Sequence, residues 1–326
     1  MFQVKEDESH IGNIDVSVIV PFQSFFTSDF ESCLTSLRNQ DFDGSYEILL
    51  IEGGNIAQAR NQGIKKSKGK YIAFLDSDCI APKDWLSLHI AQIGANDDAV
   101  GVGGPGVAPE SVSLLSNAIE SVYQTSLGSL GSASLSNTSS IKQVNAISSH
   151  NSIFKGDALR AVGGFNESFL LNEDTELSLR LREKGYRVYF SPKPQVIHKR
   201  KSRILDFFNK FYRWGVSRAR AGLTNSKLID YRIAILYSAV VLCLLSGYWN
   251  ILIPLTLFTV YLVIVLFYGI INGIKKRDSR LLYWIPSLFL IQHIGYALGL
   301  TVGLVKGPYR KTSDQPRFRE IIYRKP

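Results

Sequence analysis

Cysteine is scarce: Cys33, Cys79 and Cys243 are odd in number and widely scattered over 326 residues, which excludes a disulfide framework and offers no zinc-site spacing. Charge is missing where it matters most. Residues 233–274 form 42 consecutive positions without Asp, Glu, Lys, Arg or His, and 281–305 add 25 more in which Gln292 and His293 are the polar interruptions. A bilayer core needs about 20 apolar residues per helix. The first stretch therefore accommodates two spans, 233–249 and 252–271, and the second is a third span or a re-entrant segment. Buried helices of a large soluble core would carry polar punctuation and one wetter face. The opening MFQVKEDESH also lacks the apolar segment of a secretory signal. The first 190 residues are accordingly expected in the cytosol, on a multi-pass cell-membrane protein.

What charge there is, is segregated. Residues 1–192 hold 15 basic and 23 acidic side chains, whereas 193–220 hold 9 and 1, 275–280 hold 4 and 1, and 306–326 hold 7 and 2. Basic blocks beside apolar stretches point to lipid phosphates rather than nucleic acid. In 203–220, RILDFFNKFYRWGVSRAR, aromatics interleave with cations, as in a helix lying in the membrane interface, and Arg213 and Trp214 are its candidate lipid- or acceptor-facing residues. The organisation expected is a tail (1–15), a soluble domain (16–200), interfacial helices (201–232), a membrane region (233–305) and a basic tail (306–326). The block at 275–280 favours a cytosolic return after two spans, and a third full span would put the basic tail outside.

The soluble part alternates strand and helix. Apolar runs at 16–20, 47–51 and 71–75 read as strands, and 29–40 and 56–67 read as helices. Strands this apolar predict an α/β fold with a mainly parallel sheet covered on both faces. Ligands in such sheets bind beyond the carboxyl ends of strands, where Pro21, Glu52 and Asp76 fall. The run AVGVGGPG at 99–106 contains the literal spacing of a dinucleotide fingerprint, but Pro105 interrupts the turn, and a glycine-rich strand exit is preferred. The serine-rich, uncharged 128–140 reads as a loop, either lid or connector. Residues 175–184 read as a helix with Glu173 and Asp174 at its N-terminus, where anions are favoured.

Asp76-Ser-Asp78 follows a buried strand, so two carboxylates emerge into one crevice. Like charges that close repel unless a cation lies between them, and Mg²⁺ commonly bridges carboxylates to phosphate oxygens. A solvated acidic turn is the plain alternative.

In order and spacing, residues 16–21, 47–55, Ala59-Arg-Asn-Gln-Gly63, Gly69-Lys-Tyr-Ile-Ala-Phe-Leu-Asp-Ser-Asp78, Gly163-Gly-Phe165 and Glu173-Asp-Thr-Glu-Leu177 with Gly185-Tyr186 resemble the inverting family-2 glycosyltransferases. The resemblance covers about 16–220. It implies a GT-A fold, a nucleotide-diphosphate-sugar donor and a divalent metal, Mg²⁺ or Mn²⁺. It makes Pro21 and Glu52 part of the nucleoside pocket, although the family's usual acidic pair followed by Gly-Ser is here Glu52-Gly-Gly-Asn55. Asp76 and Asp78 take the ribose, diphosphate and metal role, with Asp78 the better metal ligand. Arg60 is a donor contact or a helix-surface charge. His198 is a metal or diphosphate contact or an interfacial charge. Asp174 is the candidate general base, oriented by Glu173, against the alternative of two helix-capping acids. Asn151 is a candidate acceptor-side residue. The function implied is transfer of a sugar, with inversion, to a lipid-linked or polyprenyl-phosphate acceptor. A catalytically inactive membrane scaffold and a membrane-anchored nucleotidyltransferase are the alternatives.

Overall fold

A computed structural model describes residues 14–23, 27–109, 113–129, 139–198, 203–310 and 316–325. Most of the expected N-terminal tail and serine-rich loop, and parts of the basic block and tail, lie outside those residues. The elements in chain order are β1 (Val16–Phe22), α1 (Ser28–Arg38), β2 (Tyr46–Glu52), α2 (Ile56–Lys66), β3 (Tyr71–Leu75), β4 (Cys79–Ile80), α3 (Trp85–Gly94), β5 (Ala99–Gly103), β6 (Gly106–Val107), α4 (Leu114–Tyr123), α5 (Ser126–Ser129), β7 (Lys142–Val144), β8 (Asn151–Lys155), α6 (Gly156–Ala161), α7 (Glu173–Glu183), β9 (Arg187–Phe190), β10 (Val196–His198), α8 (Ile204–Thr224), α9 (Tyr231–Ser246), α10 (Leu252–Lys276), α11 (Leu281–Lys306) and β11 (Arg319–Lys325). They fall into two compact units. One comprises Met1–Pro109, Ser132–Arg200 and Arg310–Pro326, and the other Glu110–Gly131 and Lys201–Tyr309.

The first unit is built on an eight-stranded sheet of order β11-β2-β1-β3-β8-β5-β9-β7. The expectation of a mainly parallel sheet needs correction. The β2-β1-β3 core and the β5-β9 pair are parallel, but β8 enters antiparallel between β3 and β5, and β11 and β7 pair antiparallel at the edges. The fold is α/β with a mixed sheet. Alternate side chains along a strand point to opposite faces, so Val18, Val20, Ile48, Leu50 and Ala73 join one core and Ile19, Leu49, Ile51, Ile72 and Phe74 the other. Cys33, Leu34 and Leu37 of α1 and Trp85 of α3 close the first face, while Ala57, Ala59 and Ile64 of α2 and Leu177 and Leu181 of α7 close the second. A second sheet, β4-β10-β6, is three short strands. The glycine-rich run resolves into β5 and β6 with no helix opening from it, so the strand-exit reading holds.

The expected basic tail contains β11, which pairs along its whole length with β2 from Arg319↔Glu52 to Lys325↔Tyr46. Ile321 and Tyr323 pack against one core and Phe318 and Ile322 against the other. The apolar residues inside that basic stretch are what make it a strand.

In the helical unit, α10 and α11 have 25 and 26 residues and are long and apolar enough to cross a membrane, whereas α9 has 16. Gly215, Gly299 and Gly303 form a close seam between α8 and α11: a Cβ at these positions would strike the backbone carbonyls of Tyr296, Tyr212 and Val216 respectively. Such small-residue seams are typical of helices that pack within lipid. Tyr261 on α10 and His293 on α11 share a hydrogen bond of 2.8 Å, so this polar residue joins two helices. Phe207 and Phe211 of α8 stack on Tyr123 of α4, which turns those rings into the unit rather than into an acyl boundary. Residues 114–129 thus belong with the helical unit and not, as expected, with the soluble domain.

Candidate active site

The carboxyl ends of β1, β2 and β3 open onto a cleft of about 300 Å³, lined by Pro21, Phe22, Gln23, Gly53–Ile56, Ala59 and Asp76–Asp78. Three local devices shape it. Gly53 and Gly54 adopt φ of +113° and +66°, the left-handed region that glycine enters without strain, and turn the chain from β2 into α2. Asn55 then caps α2 in a reciprocal box, its Oδ1 accepting from the Gln58 N–H at 3.0 Å while Gln58 Oε1 accepts from the Asn55 N–H at 2.9 Å. The first turn of α2 contains no acidic residue. The positive end of its dipole, beside the cleft, is therefore not offset by an acidic side chain of its own first turn. Finally, the turn after β3 is closed by Cys79 N–H donating to Asp76 O at 3.0 Å, which delivers both aspartates to one side.

Behind the cleft sits an ion network. Arg60, one turn into α2, is buried and reaches two carboxylates at once: Asp76 Oδ1 at 2.9 Å and Glu173 Oε1 at 2.7 Å. Its side chain is 4 % exposed, so Arg60 is not a helix-surface charge; it bridges Asp76 and Glu173. Burial, and then the charge of Asp174, push the Glu173 carboxyl up to about 7 against the pull of Arg60. Asp174 is half-buried, and its Oδ1 accepts from Thr175 N–H at 2.7 Å and Thr175 Oγ1–H at 3.3 Å. Asp174 does not line the cleft itself. It adjoins it through the electrostatic field that it shares with Glu173 at Arg60.

Asp78, on the same turn, also lines the cleft and has a different partner. Its Oδ2 lies 3.3 Å from His198 Nε2. The contact arises because β10 pairs antiparallel with β4, setting His198 opposite Cys79. Asp78, Cys79 and His198 bring one ligand atom each to within 4.8 Å of one another, a grouping that could hold a metal ion. The Asp78 carboxylate suits Mg²⁺ or Mn²⁺, while the His198 imidazole and the Cys79 thiol are softer donors. His198 Nδ1 is buried and has no hydrogen-bond partner among the described residues. Asp76, expected as a second metal ligand, lies outside this grouping, and its Oδ1 accepts from Arg60 Nη2 at 2.9 Å.

Two expected contacts differ in position. Glu52 ends β2, half-buried, and does not line the cleft; its successors Gly53–Asn55 do. Asn151 is not acceptor-facing. It is fully buried, with Oδ1 accepting from Trp85 Nε1 at 2.8 Å and contacting His89 Nε2 at 2.9 Å, while Nδ2 donates to the carbonyls of Pro105 (3.0 Å) and Pro194 (2.6 Å). Its Oδ1 ties β8 to α3, and its Nδ2 ties it to the segments flanking the small sheet. In the helical unit, Arg213 is exposed on α8 and Trp214 half-buried, its ring 4.9 Å from the Lys210 ammonium. Sequence reasoning missed His150, whose ring stacks on His198 at 5.4 Å. A Cβ at Gly106 would approach His150 Nε2 to 2.8 Å, so that glycine makes room for the histidine pair.

Comparison with known proteins gives the family. The pattern of glycosyl transferase family group 2 matches residues 71–302. The chain is 22% identical over 229 residues to the succinoglycan biosynthesis protein ExoA of Rhizobium meliloti (strain 1021), covering 63% of this chain and 69% of that protein. It is 27% identical over 231 residues to the pre-mycofactocin glycosyltransferase of Mycobacterium tuberculosis, covering 63% of this chain but only 47% of the relative. Among solved structures, a mannosyltransferase from Pyrobaculum calidifontis in complex with GDP-Man and Mn²⁺ overlaps 88% of each chain, at 14% identity and a TM-score of 0.49. With the family pattern running through well over half of its length, from β3 into α11, the chain belongs to glycosyl transferase family group 2 and is a glycosyltransferase.

Proposed function

We propose that the protein transfers a sugar, with inversion, from a nucleotide-diphosphate sugar to a lipid-linked acceptor at the cytosolic membrane face. The observation that carries this reading is the cleft at the strand ends, where the α2 N-terminus and the Asp76-Ser-Asp78 turn meet and Arg60 holds Asp76 in place. Pro21 and the Gly53–Asn55 turn bound the nucleoside end. The diphosphate meets the backbone N–H groups of α2, and Asp78 with His198 would hold a divalent cation beside it. That cation supplies charge neutralisation of the leaving diphosphate.

Asp174 accepts the proton of the acceptor hydroxyl as its oxygen bonds to the anomeric carbon. The bond from that carbon to the diphosphate oxygen breaks on the opposite face, and the nucleoside diphosphate departs. Glu173, locked on Arg60, sets where the Asp174 carboxylate stands. An acceptor that is itself a phosphate arrives ionised and needs Asp174 only for placement.

The membrane part of the proposal is supported by the length and apolarity of α10 and α11. Strand β11 follows α11, yet pairs with β2, which precedes α8. A chain that leaves and rejoins the same sheet crosses a bilayer an even number of times, which supports two crossings and not three. Purified membranes supplied with Mn²⁺, UDP- and GDP-sugars and polyprenyl-phosphate acceptors test the reaction by mass spectrometry. A glycosylated lipid with released nucleoside diphosphate is expected, and Asp174→Asn should lose it. Released pyrophosphate would indicate nucleotidyl transfer instead, and turnover retained in Asp174→Asn would remove the assigned base.

A further inference from the structure

Strand β11 lies beyond the residues matched by the family pattern, and its approach presses on the cleft. Gly53 stands at φ +113°, where a Cβ would collide with the Arg317 carbonyl oxygen and come within 3.4 Å of Phe318 Cα. A Cβ on Gly54 would lie 3.0 Å from Pro316 Cγ and 3.0 Å from Gln58 Oε1, the same atom that accepts the Asn55 N–H in the cap of α2. Turn, cap and tail are therefore one packed group, and Gly53, Gly54 and Asn55 line the cleft.

The tail is firmly held there. Glu320 accepts from Gln62 Nε2 at 2.5 Å and pairs with Lys66 at 3.1 Å, both from α2. Arg324 Nε lies 3.4 Å from Glu47 Oε2, a fully buried carboxylate, and the Arg38 guanidinium sits 4.2 Å over the Tyr323 ring.

We propose that the segment 316–318, carried by β11, is the outer buttress of the donor site. It fills the volume that a side chain on the turn would occupy, sets the path of Gly53–Asn55, and so fixes the nucleoside end of the cleft for a nucleoside diphosphate. Donor recognition then depends on a strand that the chain contributes only after its apolar helices. The glycines of the turn are the complement of this wall, because a side chain and the tail backbone cannot share the space.

The inference rests on the cleft being the donor site, and the experiment separates the two. Full-length protein in detergent with Mn²⁺ is first titrated with UDP-glucose, UDP-N-acetylglucosamine and GDP-mannose, and the sugar nucleotide that binds becomes the probe. Gly53→Ala should raise KM for that donor about tenfold with kcat changed less than about twofold, the signature of lost ground-state binding. Gly185→Ala supplies the control: it sits at φ +83° with nothing within 4 Å of its Cβ, so it carries comparable backbone strain without meeting the tail. Its donor KM should stay at the wild-type value. A chain lacking 316–326 should lose donor binding, and a synthetic peptide of those residues should restore it. Wild-type KM in Gly53→Ala, equal shifts in both glycine variants, or undiminished donor binding without the tail would each overturn the proposal. If the unaltered protein binds none of the three probes, it is the donor-site reading that fails.

Discussion

Replacing Arg60 by Met offers a quantitative test of the network behind the cleft. The substitution keeps the aliphatic stem and removes the cation that lies 2.7 Å from Glu173 and 2.9 Å from Asp76. Breaking a buried ion pair by deleting one partner typically costs about 3–5 kcal/mol, because the other charge is stranded. Here the cost depends on pH in a calculable way. In the intact protein Glu173 is raised to about 7, so below that pH it is protonated and loses little when Arg60 goes. Above pH 7 the wild-type carboxylate ionises against Arg60, whereas in the variant it must keep its proton. A group with a raised folded pKa loses its stabilising contribution as pH rises through that value, and the variant's value is higher still. The gap between the two proteins therefore widens above pH 7, by at most about 1.4 kcal/mol per pH unit and so by up to about 3 kcal/mol at pH 9. For a chain of this size that is a difference of about 5–10 °C in apparent Tm. Melting curves in detergent at pH 6 and pH 9 measure it, and Arg60→Met/Glu173→Gln should abolish the pH dependence. A Tm difference that is the same at both pH values, or absent at pH 9, would refute the reasoning.

Other consequences are more compact. Burial pushes the His89 imidazole, hydrogen-bonded to Asn151, down to about 4. The unfolded chain therefore binds the extra proton first, and the contribution of His89 to stability should fall by about 3 kcal/mol as pH drops from 6.5 to 4, read as the change in the difference between the protein and His89→Phe in chemical denaturation at the two pH values. Asn151→Ala strands the Trp85 indole N–H and the Pro105 and Pro194 carbonyls, and should cost at least about 3 kcal/mol in the same measurement, since each unsatisfied buried group costs about 1–3 kcal/mol. In a Cys243→Ser background, cysteines placed at Asn250 and Ser279 should be labelled from opposite sides of sealed vesicles because α10 lies between them. Labelling of both from one side would contradict a crossing by α10.

Much of this architecture is legible in the sequence because its signals are local and strong. The apolar runs of β1, β2 and β3 and the helix starts fall within a residue or two of their expected places, since β-branched runs, caps and glycine breaks act over a few residues. Asp76 and Asp78 could be placed at a strand end for the same reason. What escaped depends on distant partners. Strand β4 has two residues and no periodicity, so its pairing with β10, which brings His198 to Asp78, leaves no mark in the pattern. Asn151 read as a polar residue free to face an acceptor, and only the fold supplies the four partners that absorb it. Residues 319–325 read as a basic tail because cations dominate, yet the run Ile321-Ile322-Tyr323 between charges was the available sign of an edge strand. Arg60 has the composition of a surface residue, and only the helix-to-helix placement of α2 and α7 puts Glu173 against it.

The central claim is that the cleft holds a sugar nucleotide through a cation bound at Asp78 while Asp174 acts afterwards on the acceptor. Isothermal titration of the purified protein with the donor and Mn²⁺ tests it most directly. The account predicts Mn²⁺-dependent binding that is lost in Asp78→Ala and kept in Asp174→Asn. Binding that survives in Asp78→Ala, or that vanishes in Asp174→Asn, would contradict it.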